Sequence, residues 1–194
     1  MTTTLVLTRK PNELFQNPLF SKQFGRFGTL IVLQGAKVTK VRISPGSGSA
    51  AGSGAISVPT GVLDVTTSDG GGVHEVKRFT TIERMHGYIQ LKPQEYNGKV
   101  YKDRPYGITY ETGNSVVAKL KGTDGKCFRV HGGITDQERA ILIHEAPHVG
   151  FLIGCIGPRR LNDRNPGYTA SAHFAMHELF GVSPRPSALF VLDW

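Results

Sequence analysis

Two cysteines in 194 residues, Cys127 and Cys155, are too few for a disulfide framework. No apolar run approaches the roughly 20 residues that a membrane-crossing helix needs. The opening Met1-Thr-Thr-Thr-Leu-Val-Leu-Thr-Arg-Lys10 lacks the basic-then-apolar order of a signal peptide, so a role outside the cytoplasm would require another delivery route. Acidic residues are scarce: 15 Asp and Glu stand against 23 Lys and Arg, a net charge of +8. Such a surface favours an anionic partner without naming it, and an anionic wall polymer, an acidic lipid and nucleic acid share that property. Glycine and proline are plentiful, 24 and 11, and they cut the chain into short apolar runs. This pattern predicts a mainly β, loop-rich single domain over residues 1–194, with one C-terminal helix and a few short helical turns.

Strands are expected at Thr4–Arg9, at Phe27–Leu33 and at Lys37–Ile43, where Val38, Val41 and Ile43 alternate with basic residues. Pro11–Gln23 reads as an irregular loop. Residues 44–54 are rich in Gly and Ser and read as a flexible hairpin connection; no Lys-Ser/Thr pair ends them, so they are not a phosphate-binding loop. A strand pair is expected over Ala55–Thr66 about Val58-Pro-Thr-Gly61. Phe79–Gln90 and Tyr96–Tyr110 read as strands and loops. Lys92, Lys99, Lys102, Arg104, Lys119 and Lys121 read as a solvated face. Further strands are expected at Val116–Leu120, Cys127–His131 and Ala188–Leu192, and a helical turn at Asp136–Arg139. Thr169–Phe180 carries the one clear helical pattern, with Thr169 or Ser171 as cap, Gly181 as stop, and Phe174, Leu179 and Phe180 as apolar contacts. His173 and His177 stand four apart on that helix. Without a third ligand nearby they read as two helix histidines without a metal.

Chemistry concentrates in Ile141-Leu-Ile-His-Glu-Ala-Pro-His-Val-Gly-Phe-Leu-Ile-Gly-Cys-Ile-Gly-Pro-Arg159. Ile141–Ile143 is β-branched and short, hence a buried strand. His144 ends it, and Cys155 lies at the far end of the loop that follows. A thiol and an imidazole at the two ends of one loop are the pair that cysteine nucleophilic catalysis needs. Gly154 leaves the backbone uncrowded, so amides near Cys155 are candidate oxyanion donors. His148 is an alternative to His144 as base. Ile156, Arg159 and His131 are candidates to line the substrate site. Cys127, in a strand-like run, reads as core.

The same letters spell H-E-x-x-H through His144, Glu145 and His148. That zinc motif works on a helix, and Pro147 opposes a helix here by about 3 kcal/mol. A zinc hydrolase is therefore the rival reading, and a non-catalytic structural or binding module of a virion or secretion apparatus is a third.

Ile141-Leu-Ile-His144 followed by Gly154-Cys155-Ile156 resembles the catalytic segment of the L,D-transpeptidases, and more closely a compact branch with a short His-to-Cys loop found in bacterial and phage proteins. Phe27-Gly-Thr-Leu30 and Ile56-Ser-Val-Pro-Thr-Gly-Val-Leu-Asp-Val65 resemble the family's early strands. The resemblance implies a β-rich, sandwich-like domain, a Cys155 nucleophile with His144 as its base, and attack on peptidoglycan stem peptides beside a meso-diaminopimelate centre. The acyl group then passes to an amine or to water, and no cofactor is implied. Partners would be those stem peptides and an immunity or delivery protein, with nucleic acid not expected. Delivery to the periplasm or carriage in a phage particle or secretion system would follow. The family's Ser-His-Gly-Cys followed by Arg is not reproduced, since Leu152-Ile153 precede Gly-Cys and the basic residue comes later, at Arg159.

Overall fold

The computed structural model describes residues 1–45, 54–58, 61–85, 91–92, 95–96, 99–100, 104–119, 125–132 and 141–193. In chain order its elements are β1 (Thr2–Gln16), β2 (Phe24–Gly35), β3 (Val38–Pro45), β4 (Gly54–Val58), β5 (Gly61–Thr67), β6 (Val73–Met85), β7 (Glu95–Tyr96), β8 (Lys99–Val100), β9 (Gly107–Glu111), α1 (Ser115–Ala118), β10 (Cys127–His131), β11 (Ile141–Ile143), a 3-10 turn (Val149–Phe151), β12 (Ile156–Arg159), α2 (Ser171–Val182) and β13 (Ala188–Asp193). Among the described residues the protein is mainly β with one full helix near the C-terminal end, as its composition predicts. No helix among the described residues is long and apolar enough to cross a membrane.

Eight strands form one sheet in the order β13-β1-β2-β6-β12-β11-β10-β9. Its two edges meet: Tyr106, just before β9, exchanges backbone hydrogen bonds of 2.7 and 2.9 Å with Leu189 of β13. The sheet thus curls into a nearly closed barrel. Alternation along each strand separates two faces. The inner face carries Leu5, Leu7, Leu30, Val32, Phe79, Phe128, Val130, Ile141, Ile143, Ile156, Leu189 and Val191, against which α2 lays Ala175, Met176 and Leu179. On the outer face, Val6, Ile31, Leu33 and Phe190 are covered by the small sheet β3-β5-β4 through Val38, Val41, Leu63 and Val65. The rest of the outer face, Phe27, Ile82, Leu142 and Cys127, is covered by α1 and by the segment between β11 and β12.

Several elements differ from the sequence expectation for local reasons. β1 does not stop at Arg9: after a register shift between Arg9 and Leu14 it pairs again with β2, Phe15 against Gly25 and Gln16 against Phe24. A bulge tolerates Pro11, which has no N–H to give a ladder. The remaining loop is a tight turn closed by Asn17 N–H to the Gln23 carbonyl at 2.8 Å. Val116-Val117 forms not a strand but the helical turn α1. Asn114 caps it, its side-chain oxygen accepting from Val117 N–H at 3.2 Å and its carbonyl from Ala118 N–H at 2.8 Å. Helix α2 begins at Ser171 and runs through Gly181 to Val182. Phe174 faces solvent rather than the core, at 48% exposure, with the Arg160 guanidinium 4.5 Å from its ring centre. The expected turn at Asp136–Arg139 and most of the Gly/Ser segment 44–54 lie outside the described residues, as do Lys102 and Lys121.

Candidate active site

The segment around the cysteine is placed by two strands. β11 and β12 run parallel with Ile143 beside Ile156, both on the inner face, and His144 N–H extends the ladder to the Ile156 carbonyl at 3.1 Å. Inner-facing Ile143 and Ile156 require outer-facing Leu142, His144 and Cys155. Leu142 and Cys155 indeed share the outer apolar cluster. His144 follows β11 and Cys155 precedes β12, so the two flank adjacent strands at the two ends of a single loop.

His144 is buried, at 2% exposure, and its Nδ1 lies 2.7 Å from the carbonyl oxygen of Glu145. A carbonyl only accepts, so Nδ1 carries the proton and Nε2 holds a lone pair. Burial lowers the ring's pKa to about 4, with the Glu145 carbonyl working the other way, so the imidazole is neutral at pH 7. His148 has the opposite tautomer. Its Nδ1 accepts the Gly150 N–H at 3.0 Å and caps the 3-10 turn, so the proton sits on Nε2. Its ring stands between Phe20 and Phe151, with centroids 5.8 and 4.6 Å away. Burial, and then the charge of Arg159, lower its pKa. Of the two histidines, His144 has the base's tautomer.

Cys155 is 8% exposed and follows Gly154, whose φ of 80° is a left-handed turn that favours glycine. Its sulfur lies 3.9 Å from the Ile153 carbonyl and makes no hydrogen bond to His144. Burial pushes the thiol's pKa up; the backbone of Leu142 and Ile153 and the charge of Arg129 offset part of that rise. The resting thiol is therefore protonated at neutral pH. Cys127 is fully buried and its pKa is pushed to about 11, first by burial and then by Glu111.

Arg159, expected at the substrate, is instead fully enclosed. Its Nη2 donates to the Pro147 and Gly167 carbonyls at 3.1 and 3.2 Å, and its Nη1 donates to Asn165. Burial lowers its pKa to about 10, with Asp163 opposing. It clamps two loops behind the site. Ile156 contributes its side chain to the inner core, and its carbonyl is occupied by His144. His131 lies on β10, with Nε2 2.6 Å from Thr109 Oγ1.

A group that the motif search missed lies on the outer face of β9 and β10. Arg129 and Glu111 form an ion pair, with Arg129 Nη2 3.1 Å from Glu111 Oε2, and Arg129 is about one third exposed. The alternation of Cys127, Arg129 and His131 along β10 puts these residues on one side, a signal present in the sequence once β10 is assigned.

The zinc reading finds no support here. Residues 144–148 are not helical, and their side chains go separate ways: the His144 ring to a carbonyl, the Glu145 carboxylate to His173 on α2, the His148 ring to an amide. Among the described residues no three His, Cys, Asp or Glu side chains are grouped to hold a metal ion. Compared with protein-family models, curated proteins and solved structures, the chain matches none.

Proposed function

We propose that the protein is an L,D-transpeptidase-like cysteine acyltransferase or carboxypeptidase acting on peptidoglycan stem peptides, with Cys155 as nucleophile and His144 as base. The observation that carries this reading is the His144 Nδ1 contact with the Glu145 carbonyl. It orients the ring, fixes the tautomer and leaves Nε2 as the acceptor, with His144 and Cys155 at the two ends of one loop. Nucleophile, base and a third group that orients the base are the three parts of an activated thiol.

In the reaction the Cys155 proton passes to His144 Nε2 as sulfur bonds to the substrate carbonyl carbon. Amides about Gly154 and Cys155 would receive the oxyanion. The C–N bond then breaks, the amine leaves with the proton from His144, and a thioester remains on Cys155. An incoming amine or water, deprotonated by His144, attacks the thioester and restores the thiol. The raised pKa of the resting thiol requires that proton transfer accompany attack rather than precede it. Net positive charge suits a polyanionic wall. In place of the enclosed Arg159, Arg129 is a half-buried cation beside the thiol's cluster, and a substrate carboxylate would compete with Glu111 for its guanidinium.

The test is mass spectrometry of tetrapeptide and pentapeptide stem fragments incubated with the protein. Loss of a terminal residue, or exchange of it for an added D-amino acid, is expected from the wild type. Cys155→Ser should lower turnover by orders of magnitude while keeping the fold. Cys127→Ser should keep turnover and lose about 1–3 kcal/mol of stability, because it buries a hydroxyl in an apolar cluster. Wild-type turnover in Cys155→Ser would remove the assignment of the nucleophile.

A further inference from the structure

Helix α2 turns one side away from the barrel, and His173 and His177 stand on it one turn apart. Their rings are in contact, with centroids 4.4 Å apart at 67°. His173 is not a solitary surface imidazole. Its Nδ1 lies 3.2 Å from Oε2 of Glu145, a carboxylate with only 8% of its side chain exposed. Glu145 is held in place from the other side of the chain: its own carbonyl accepts from His144, and the neighbouring Pro147 carbonyl receives both Arg159 and the Thr169 N–H. A buried carboxylate on Nδ1–H fixes the ring and leaves Nε2 as its acceptor nitrogen. This is the support that metal-binding histidines ordinarily receive. The neighbouring charges are already matched: Arg160 stacks on Phe174 and pairs with Glu178, which also takes Lys77 at 2.9 Å.

We propose that His173, through Nε2, and His177 form a surface site for a divalent transition-metal ion of imidazole preference, Ni²⁺ or Zn²⁺, with Glu145 positioning His173 from behind. Two histidines four apart on a helix can chelate one ion, and water completes its coordination. The site is separate from the thiol chemistry and does not depend on it. It links α2 to the end of β11, since the carboxylate comes from a residue 28 positions earlier in the chain.

Isothermal titration of the full chain with Ni²⁺ and with Zn²⁺ tests the proposal. One ion per chain is expected, with a micromolar dissociation constant. His177→Ala should abolish saturable binding. Glu145→Ala should weaken it about 10–100-fold. Glu145→Gln, which retains an acceptor for Nδ1–H, should weaken it less and serves if the alanine variant does not fold. Cys155→Ser should bind as the wild type does. Absence of saturable binding in the wild type, unchanged binding in His177→Ala or in both Glu145 variants, or loss of the ion in Cys155→Ser would each overturn the site.

Discussion

His144 couples the candidate site to the stability of the whole molecule. Its folded pKa of about 4 lies below the ordinary histidine value of 6.5, because burial disfavours the imidazolium. Between those values the unfolded chain binds the proton that the native chain refuses, so stability rises with pH across that window and is lost as pH falls through it. Above about pH 6.5 this group adds no further pH dependence. Denaturant titrations at pH 7 and pH 4.5 should differ by about 2 kcal/mol from this residue, and His144→Gln should flatten the slope. Arg159 gives a second expectation at this scale. The guanidinium has no exposure and three carbonyls accept from it; Arg159→Met should leave those of Asn165 and Gly167 without this donor, with Pro147 keeping the Thr169 N–H, and cost about 3 kcal/mol or more, measured by the shift in urea midpoint. If Arg159 bound substrate instead, the variant would lose turnover with its stability intact.

At the scale of elements, the readable parts of the fold were those where one pattern dominates. The β-branched run Ile141–Ile143, the alternation in Cys127–His131 and the final strand all settle where their residues predict, because both faces of those strands are covered. Val116-Val117 was misread because β-branching favours a strand, while the preceding Asn114 offers a cap that wins over four residues. The spacing of His144 and Cys155 was legible; the carbonyl that orients His144 was not, because a residue's own backbone carries no sequence signature. Arg159 was misjudged for a related reason: its partners are carbonyls of Pro147, Asn165 and Gly167, and carbonyls are the same at every position. The turn before Cys155 yields a test of its own. Gly154 at φ 80° tolerates no Cβ without strain, so Gly154→Ala should cost about 1–2 kcal/mol and move the sulfur, lowering turnover more than stability. Equal turnover in that variant would show that the turn has no part in placing the nucleophile.

For the whole molecule, the governing feature is how the sheet closes. β13 lies parallel to β1, from Thr4 beside Ala188 to Arg9 beside Asp193, and the Tyr106–Leu189 bridge joins β13 to the opposite edge. At the end of the inner face Arg9 is bound to Glu83 at 2.9 Å and to Asp193 at 2.7 Å, so the seam carries charge as well as backbone pairing. Removing residues 188–193 should leave β1 as an open edge and uncover Leu5, Leu7 and Val6. The expected outcome is loss of cooperative thermal unfolding together with concentration-dependent aggregation, seen by calorimetry and light scattering. The same seam sets a clock. The contact between Arg9 and Asp193 spans 184 positions of chain. β1 must therefore wait for β13 to be made before the barrel can close. Long-range pairing of this kind places folding on the millisecond-to-second scale rather than the microsecond scale of helical proteins. Throughout that wait the half-built sheet is an unpaired edge, accessible to chaperones, to proteases and to any machine that threads an unfolded chain.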